Sequence, residues 1–217
     1  SLWCWGANHD GNLATDEDTD TLEKCGTIDA ASEVTCTSSN PLAVTDKTWL
    51  SLSVGWQHTC ALDESRTLFC WGKNTNGQAG NPNLQNQSLP YQVSDDRWLA
   101  IAAGVSATCG IKEDRSLQCW GLWHQDHPNS APTPIDQGTD WALVAVGGAY
   151  DMNAFCAVKD DASLWCFGDN NDGILGLGEN PNPTDAPQQL NEIDKAISVS
   201  VGASHACSVS ENNQLWC

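Results

Sequence analysis

Between Trp49 and Gly55 apolar and polar residues alternate: Leu50, Leu52 and Val54 fall on one face, Ser51 and Ser53 on the other. A period of two predicts a strand. Its small second face suits close approach by a neighbouring sheet. The same signature starts at Trp98, Trp141 and Ala196, and each copy reaches a glycine six residues on, at Gly104, Gly147 and Gly202. After the first copy a strand ends near Leu62, a polar turn follows at Asp63-Glu64-Ser65-Arg66, and a second strand runs to Trp71.

That hairpin carries a cysteine on each arm. Cys60/Cys70 recurs as Cys109/Cys119, Cys156/Cys166 and Cys207/Cys217, always with nine residues between the members. Cys60 and Cys70 lie equally far from the turn, so they are expected to face each other. Opposed Cα atoms in an antiparallel pair lie about 4.5–5.5 Å apart, which a disulfide can span. Each staple closes a short loop, for roughly 2–3 kcal/mol of stabilisation. Zinc is disfavoured because its ligand pairs usually sit two to four residues apart.

Every second cysteine follows Leu-x, and Leu2-Trp3-Cys4 is a fifth copy of that half-motif. The chain therefore divides into repeats at approximately 5–70, with an insertion at 15–40, then 71–119, 120–166 and 167–217. Cys25 and Cys36 share the insertion and are expected to pair. Cys4 is then unpaired, and the repeat rule puts its partner before residue 1. The chain opens and closes on the same strand of the unit, so the expectation is a segment of a longer polypeptide or of a ring completed by other chains.

Three elements in tandem resemble the repeat family named after the regulator of chromosome condensation. They are Ser53-x-Gly55-x-x-His58-x-Cys60-Ala61-Leu62, then Leu68-x-Cys70-Trp71-Gly72, then Gly72-x-Asn74-x-x-Gly77-Gln78-x-Gly80. The last recurs at Gly6-x-Asn8-x-x-Gly11 and Gly168-x-Asn170-x-x-Gly173. The repeat beginning at Trp98 departs, with Leu122-Trp123-His124 in place of the glycine–asparagine loop. The resemblance implies an all-β fold: β-propeller blades of four antiparallel strands around a channel. About four repeats are present, whereas the family usually closes a ring of about seven. The cysteine pairs resemble those of the family's exported members rather than its nuclear founder.

Composition narrows the function. The chain has 217 residues, 28 acidic and 9 basic side chains, a formal charge of −19 and 11 cysteines. Such a charge repels phosphate backbones and anionic membranes, so neither nucleic acid nor direct membrane insertion is expected. No apolar run approaches the roughly 20 residues of a spanning helix. Regular, abundant cysteines place the chain outside the reducing cytosol, in an extracellular or cell-surface setting.

Subtracting the repeat leaves the candidate chemistry. All tryptophans except Trp56 and Trp123 occupy repeat positions. Trp56, Trp123, His124, His127, Tyr150, Asp151 and Met152 lie in loops joining first to second or third to fourth strands. Strands alternate direction, so these loops are expected on one face, the candidate binding face. Asp16, Asp18 and Asp20 alternate like the start of a calcium loop but lack its glycine and distal glutamate, which leaves Ca²⁺ as the one cofactor considered. Asn86-Gln87-Ser88 is a glycosylation sequon. His58 and His205 occupy the same repeat position and are expected to be structural. No catalytic constellation is left, so the chain is read as not an enzyme.

The leading expectation is an extracellular, non-catalytic structural or adhesive module, meeting a protein partner or itself, as part of a larger surface protein or filament. The alternative is a secreted inhibitor or ligand-binding propeller, similar to a bacterial β-lactamase inhibitor of this fold. Nucleotide exchange on a small GTPase, as in the founder, conflicts with an oxidising compartment.

Overall fold

The computed structural model describes residues 1–15, 24–27, 34–45, 47–123, 129–150, 152–178 and 182–217, with the backbone alone for 24–27 and 34–36. The first sheet holds β1 (Trp3–Ala7), β2 (Lys24–Thr27) and β3 (Val34–Ala43), in the order β1-β3-β2. Next come β4 (Trp49–Val54), β5 (His58–Asp63) and β6 (Thr67–Gly72), followed by the long β7 (Gln87–Ala103). Then follow β8 (Ala107–Lys112), β9 (Leu117–Gly121) and β10 (Asn129–Pro134). A four-stranded sheet is built from β11 (Trp141–Ala149), β12 (Met152–Lys159), β13 (Leu164–Gly168) and β14 (Thr184–Gln189). The last sheet holds β15 (Ala196–Val201), β16 (Ala206–Ser210) and β17 (Leu215–Trp216).

These sheets are propeller blades, and the arc is a partial propeller of about four of them. β7 serves two blades: Gln87–Arg97 pairs with β6 as an outer strand, and Trp98–Ala103 pairs with β8 as an inner one. The sequence repeats are thus out of phase with the blades, since a repeat closes on the third strand of a sheet. The first sheet shows this too. The expected insertion at 15–40 overlaps β3, whose Thr37–Ala43 pairs with β1 as the outer strand. Beyond that strand, β3 pairs with β2, with Cys25 opposite Cys36 in the backbone register. Their side chains lie outside the described residues.

The serine face of β4 does meet a neighbouring blade: the Ala103 amide donates to Ser53 Oγ at 2.9 Å. Leu50, Leu52 and Val54 on the opposite face are exposed. The glycine closing each inner strand is required by close approach. A Cβ on Gly55 would lie 2.3 Å from the Gly104 carbonyl oxygen, and one on Gly147 would lie 2.4 Å from that of Gly202.

Among the described residues four staples are present: Cys60–Cys70, Cys109–Cys119, Cys156–Cys166 and Cys207–Cys217, with Cα–Cα distances of 4.1–4.2 Å. The first three are buried in the apolar layers between blades. One layer sets Cys60, Leu62 and Leu68 against Trp98 and Trp120. Another sets Ile111 and Leu117 against Trp141, Phe155 and Phe167. The staples thus fix each hairpin and also supply core surface, as buried cysteine does. They fit an oxidising compartment. Cys4 is a free, partly buried thiol, and burial raises its pKa. No helix among the described residues is long and apolar enough to cross a membrane.

Candidate functional site

The loops that break the repeat sit on a scaffold of repeated polar links. In each glycine–asparagine loop the buried asparagine carbonyl accepts the amide five residues on: Asn8 from Leu13 (2.8 Å), Asn74 from Ala79 (2.9 Å) and Asn170 from Leu175 (3.0 Å). The next blade's tryptophan then binds the loop. Trp71 Nε1–H donates to the Asn12 carbonyl at 3.0 Å, and Trp120 Nε1–H to the equivalent Gln78 carbonyl at 3.0 Å. Thr108 Oγ1–H donates to the same Gln78 carbonyl at 2.8 Å. With its proton committed there, Thr108 Oγ1 accepts from His58 Nε2–H at 2.7 Å, which fixes the histidine tautomer. Burial holds the His58 pKa down at about 4, and its Nδ1 has no hydrogen-bond partner. His58 is therefore a neutral inter-blade strut. His205, at the same repeat position, is exposed.

The third full blade replaces this link. Its tryptophan position is Phe167 and its threonine position is Phe155, stacked at 4.9 Å. Neither ring carries a polar donor, and the loop they would bind is the one that departs from consensus. Asn153 takes over. Its side-chain carbonyl accepts the amides of Val105 (3.2 Å) and Ser106 (3.3 Å). Its amide donates to Ser106 Oγ (2.9 Å) and the Leu122 carbonyl (2.8 Å).

Asn153 belongs to an extended β11–β12 hairpin, in which Gly148 pairs with Asn153 and Ala149 with Met152. Tyr150 stands at its tip, 85% exposed. Its φ of 53° is a left-handed conformation unusual for an aromatic residue. The hairpin borders a cleft of about 680 Å³ at the ends of the inner strands, where Trp56, Tyr150 and Met152 meet Asp169, Asn171 and Asp172. First-to-second and third-to-fourth strand loops therefore do share one face. Asn171 Nδ2 lies 2.6 Å from Met152 Sδ, tying two of these loops together.

Trp123 stands apart from this set: it is half-buried and packs against the layer holding Trp141, Phe155 and Phe167. His124, His127 and Asp151 lie outside the described residues, as do Asp16, Asp18 and Asp20. Among the described residues no group of three or more His, Cys, Asp or Glu is placed to hold a metal ion. Asn86 is exposed, but its side chain is engaged: it donates to Asp10 Oδ1 at 2.7 Å and accepts from the Asn74 amide at 3.0 Å.

Basic side chains gather at one end of the blades, which residue-by-residue reading missed. Lys47, Arg97, Lys112, Arg115, Lys159 and Lys195 all flank the starts of inner strands or the second-to-third strand turns, at the end away from the cleft. Five of them pair with Asp63, Asp96, Asp160, Asp140 and Glu211, and Arg97 donates to the Ser65 carbonyl. In the same turns the Ser116 hydroxyl and amide hold the Asp114 carboxyl below its usual pKa, although the group is nearly all exposed. Lys73, at the cleft's end, donates to Gln57 Oε1 at 2.8 Å and does not line the cleft. The signal was the position of each base relative to the strand phase.

The model of the regulator of chromosome condensation (RCC1) repeat matches residues 67–111 and 161–209, and a second model of that repeat matches 49–78. The chain belongs to this family. The stretch between the matches, 112–160, holds both the Trp123 loop and the Tyr150 hairpin, so the RCC1 pattern lapses where the structure departs from it. Among solved structures the fold is similar to human WBSCR16, at 16% identity and a TM-score of 0.73, covering 96% of this chain and 54% of that one. It is also similar to yeast RCC1 (Prp20), solved bound to Kap60, at 16% identity and 0.71, covering 98% and 64%. The ectodomain of the Physcomitrella patens receptor kinase CR4 matches at 20% and 0.51, covering 79% and 41%. The chain thus spans little more than half of the first and under two thirds of the second. No curated protein sequence matches it.

Proposed function

We propose that this RCC1-repeat arc is an extracellular, non-catalytic protein-interaction module that works within a larger ring or surface assembly and binds through the Trp56–Tyr150 face. The observation that carries the reading is the extended β11–β12 hairpin, which holds Tyr150 out in a strained backbone conformation beside exposed Trp56. Such strain costs on the order of 1 kcal/mol and collects at functional sites, and exposed aromatics are the usual anchors of interfaces. The buried staples support the extracellular location, and His58 is committed to Thr108 between blades rather than to chemistry. A protein of similar fold, yeast RCC1 (Prp20), has been solved with a protein, Kap60, bound to it.

Site-specific photo-cross-linking tests the reading. A benzoylphenylalanine replacing Tyr150 should yield a discrete cross-linked protein on intact source cells or their medium. The same probe replacing Ser65, in a turn at the opposite end, should not. Equal labelling from both positions, or from neither, would remove the proposed face. The alternative, a secreted inhibitor, is supported by the presence of a cleft beside Trp56 and Tyr150. The native mass of the full-length protein separates the two readings: a discrete soluble monomer supports the inhibitor, and an assembly supports the module.

A further inference from the structure

In the full blades the third strand is flanked on both sides. β13 lies between β12 and β14, with Cys166 opposite Cys156 on one side and Gln188 on the other. β6 repeats this, with Cys70 opposite Cys60 and Tyr91. β1 is the third strand of the first sheet, and its outer side is paired in the same way, Cys4 opposite Leu42 of β3. Among the described residues that sheet has the order β1-β3-β2, which leaves β1 at the edge. The open side of β1 is the side on which β6 and β13 meet the cysteine of a second strand. Cys4 stands there as a free thiol.

β4 shows the same gap from the next blade. Ile101, Val144 and Val199 hold the position of Leu52 in their own inner strands. Each packs into a layer with the cysteine-bearing second strand of the preceding blade. Ile101 shares a layer with Cys60 and Leu62, Val144 with Cys109 and Ile111, and Val199 with Cys156 and Val158. Leu52 is instead 52% exposed, and Val54 is 66% exposed. An edge strand with unpaired backbone groups and an apolar face therefore border one slot. The slot is two strands wide, and it continues the interface that joins the other blades.

We infer that this slot takes a two-stranded β-hairpin of a partner chain, with a cysteine of its second arm opposite Cys4 and a face of small and apolar residues on Leu52 and Val54. The hairpin adds its main chain to β1 as a further strand. Its side chains supply the layer that Ile101, Val144 and Val199 already have. Seating sets Cys4 opposite the partner thiol as in the internal staples, where the Cα atoms lie 4.1–4.2 Å apart. Glutathione disulfide is the oxidant that closes the bond. The two thiols give up two electrons and two protons, one disulfide forms, and two glutathione thiols are released. The inference rests on the assembly reading and adds to it the place and chemistry of one joint.

The probe is a fluorescein-labelled peptide of residues 98–112, the chain's own first and second strands, with Cys109 in the second arm. It is incubated with the full chain in a glutathione redox buffer and resolved without reductant. It should form an adduct at Cys4 in about tenfold higher yield than a scrambled peptide whose cysteine keeps its place. Leu52→Asp should lower that yield about fivefold. Leu89→Asp, at an exposed site on β7, three strands from β4, should leave it unchanged. The peptide carrying Cys109→Ala should bind saturably in anisotropy titrations and weaken by a similar factor in Leu52→Asp. Equal adducts from the two peptides, labelling at another cysteine, or a yield indifferent to Leu52→Asp would overturn the slot. In protein from its native source, Cys4 should be joined by a disulfide to a second polypeptide. Cys4 recovered as a free thiol, or joined within its own polypeptide, would overturn the partner. If the slot fails while position 150 still cross-links selectively, the joint falls and the interaction face stands. If both fail, both fall.

Discussion

Trp120 reaches across the blade boundary to Gln78: its indole N–H donates to the Gln78 carbonyl at 3.0 Å, 42 residues back along the chain. That carbonyl sits in the preceding blade's loop and also receives the Thr108 hydroxyl. The same relation joins Trp71 to Asn12. Blades are thus docked by a buried, directional contact as well as by apolar area.

Removing the indole donor should cost about 1 kcal/mol, because Thr108 still satisfies the carbonyl. Trp120→Phe is expected to lower the unfolding free energy by that amount. Adding Thr108→Val leaves Gln78 with neither donor and should bring the total to roughly 2–4 kcal/mol. Urea unfolding of the single and double variants measures both, and the excess over additivity is the coupling.

His58 makes stability depend on pH. Its folded pKa, about 4, lies below the ordinary histidine value of 6.5. The unfolded chain therefore binds the proton first as pH falls. The contribution is fully present above about pH 6.5 and is lost progressively down to about pH 4, amounting to on the order of 3 kcal/mol. His58→Gln removes the titration and should flatten this part of the profile in urea melts at pH 7 and pH 4.5.

Asn153 supplies the third blade's buried side-chain link to the loops of the second. Asn153→Ala leaves the Val105 and Ser106 amides and the Leu122 carbonyl without that partner, and is expected to cost about 2–4 kcal/mol. Hydrogen exchange should show the loss first at Val105 and Ser106. Protection across the Cys60–Cys70 hairpin should change little.

Much of this was legible in the sequence. The fixed cysteine spacing marked the hairpins, the period of two marked β4, and the glycine–asparagine loops carried the family resemblance. The docking contacts were not legible, because Trp120 and Gln78 meet only once two blades are side by side. Asn153 lies in the stretch that breaks the count from Gly147 to Cys156, but its contacts were not legible, because Val105, Ser106 and Leu122 meet it only across the blade boundary. Trp123 read as a loop residue free to face a partner, but it turns into the layer beside Phe155 and Phe167. The exchange of Trp for Phe at Phe167, one repeat after the loop departure, was a visible sign that those two positions are coupled.

Gly147 tests how tightly the inner strands converge. Gly147→Ala would set a methyl 2.4 Å from the Gly202 carbonyl oxygen and 2.6 Å from that of Val201. Both are backbone atoms, so the blades must shift, at a cost of roughly 1–3 kcal/mol or more. Gly173→Ala, with nothing near its Cβ, meets only the strain of a φ of 75° and should cost less in the same thermal melts.

The central claim is that oxidised hairpin staples, one within each repeat, build the blades that display the Trp56–Tyr150 face. The most direct measurement is a disulfide map of protein purified from its native source without reductant, with free thiols alkylated before digestion. The account predicts Cys60–Cys70, Cys109–Cys119, Cys156–Cys166 and Cys207–Cys217 as intact pairs. Alkylated thiols at those positions, or pairs running between repeats, would contradict it.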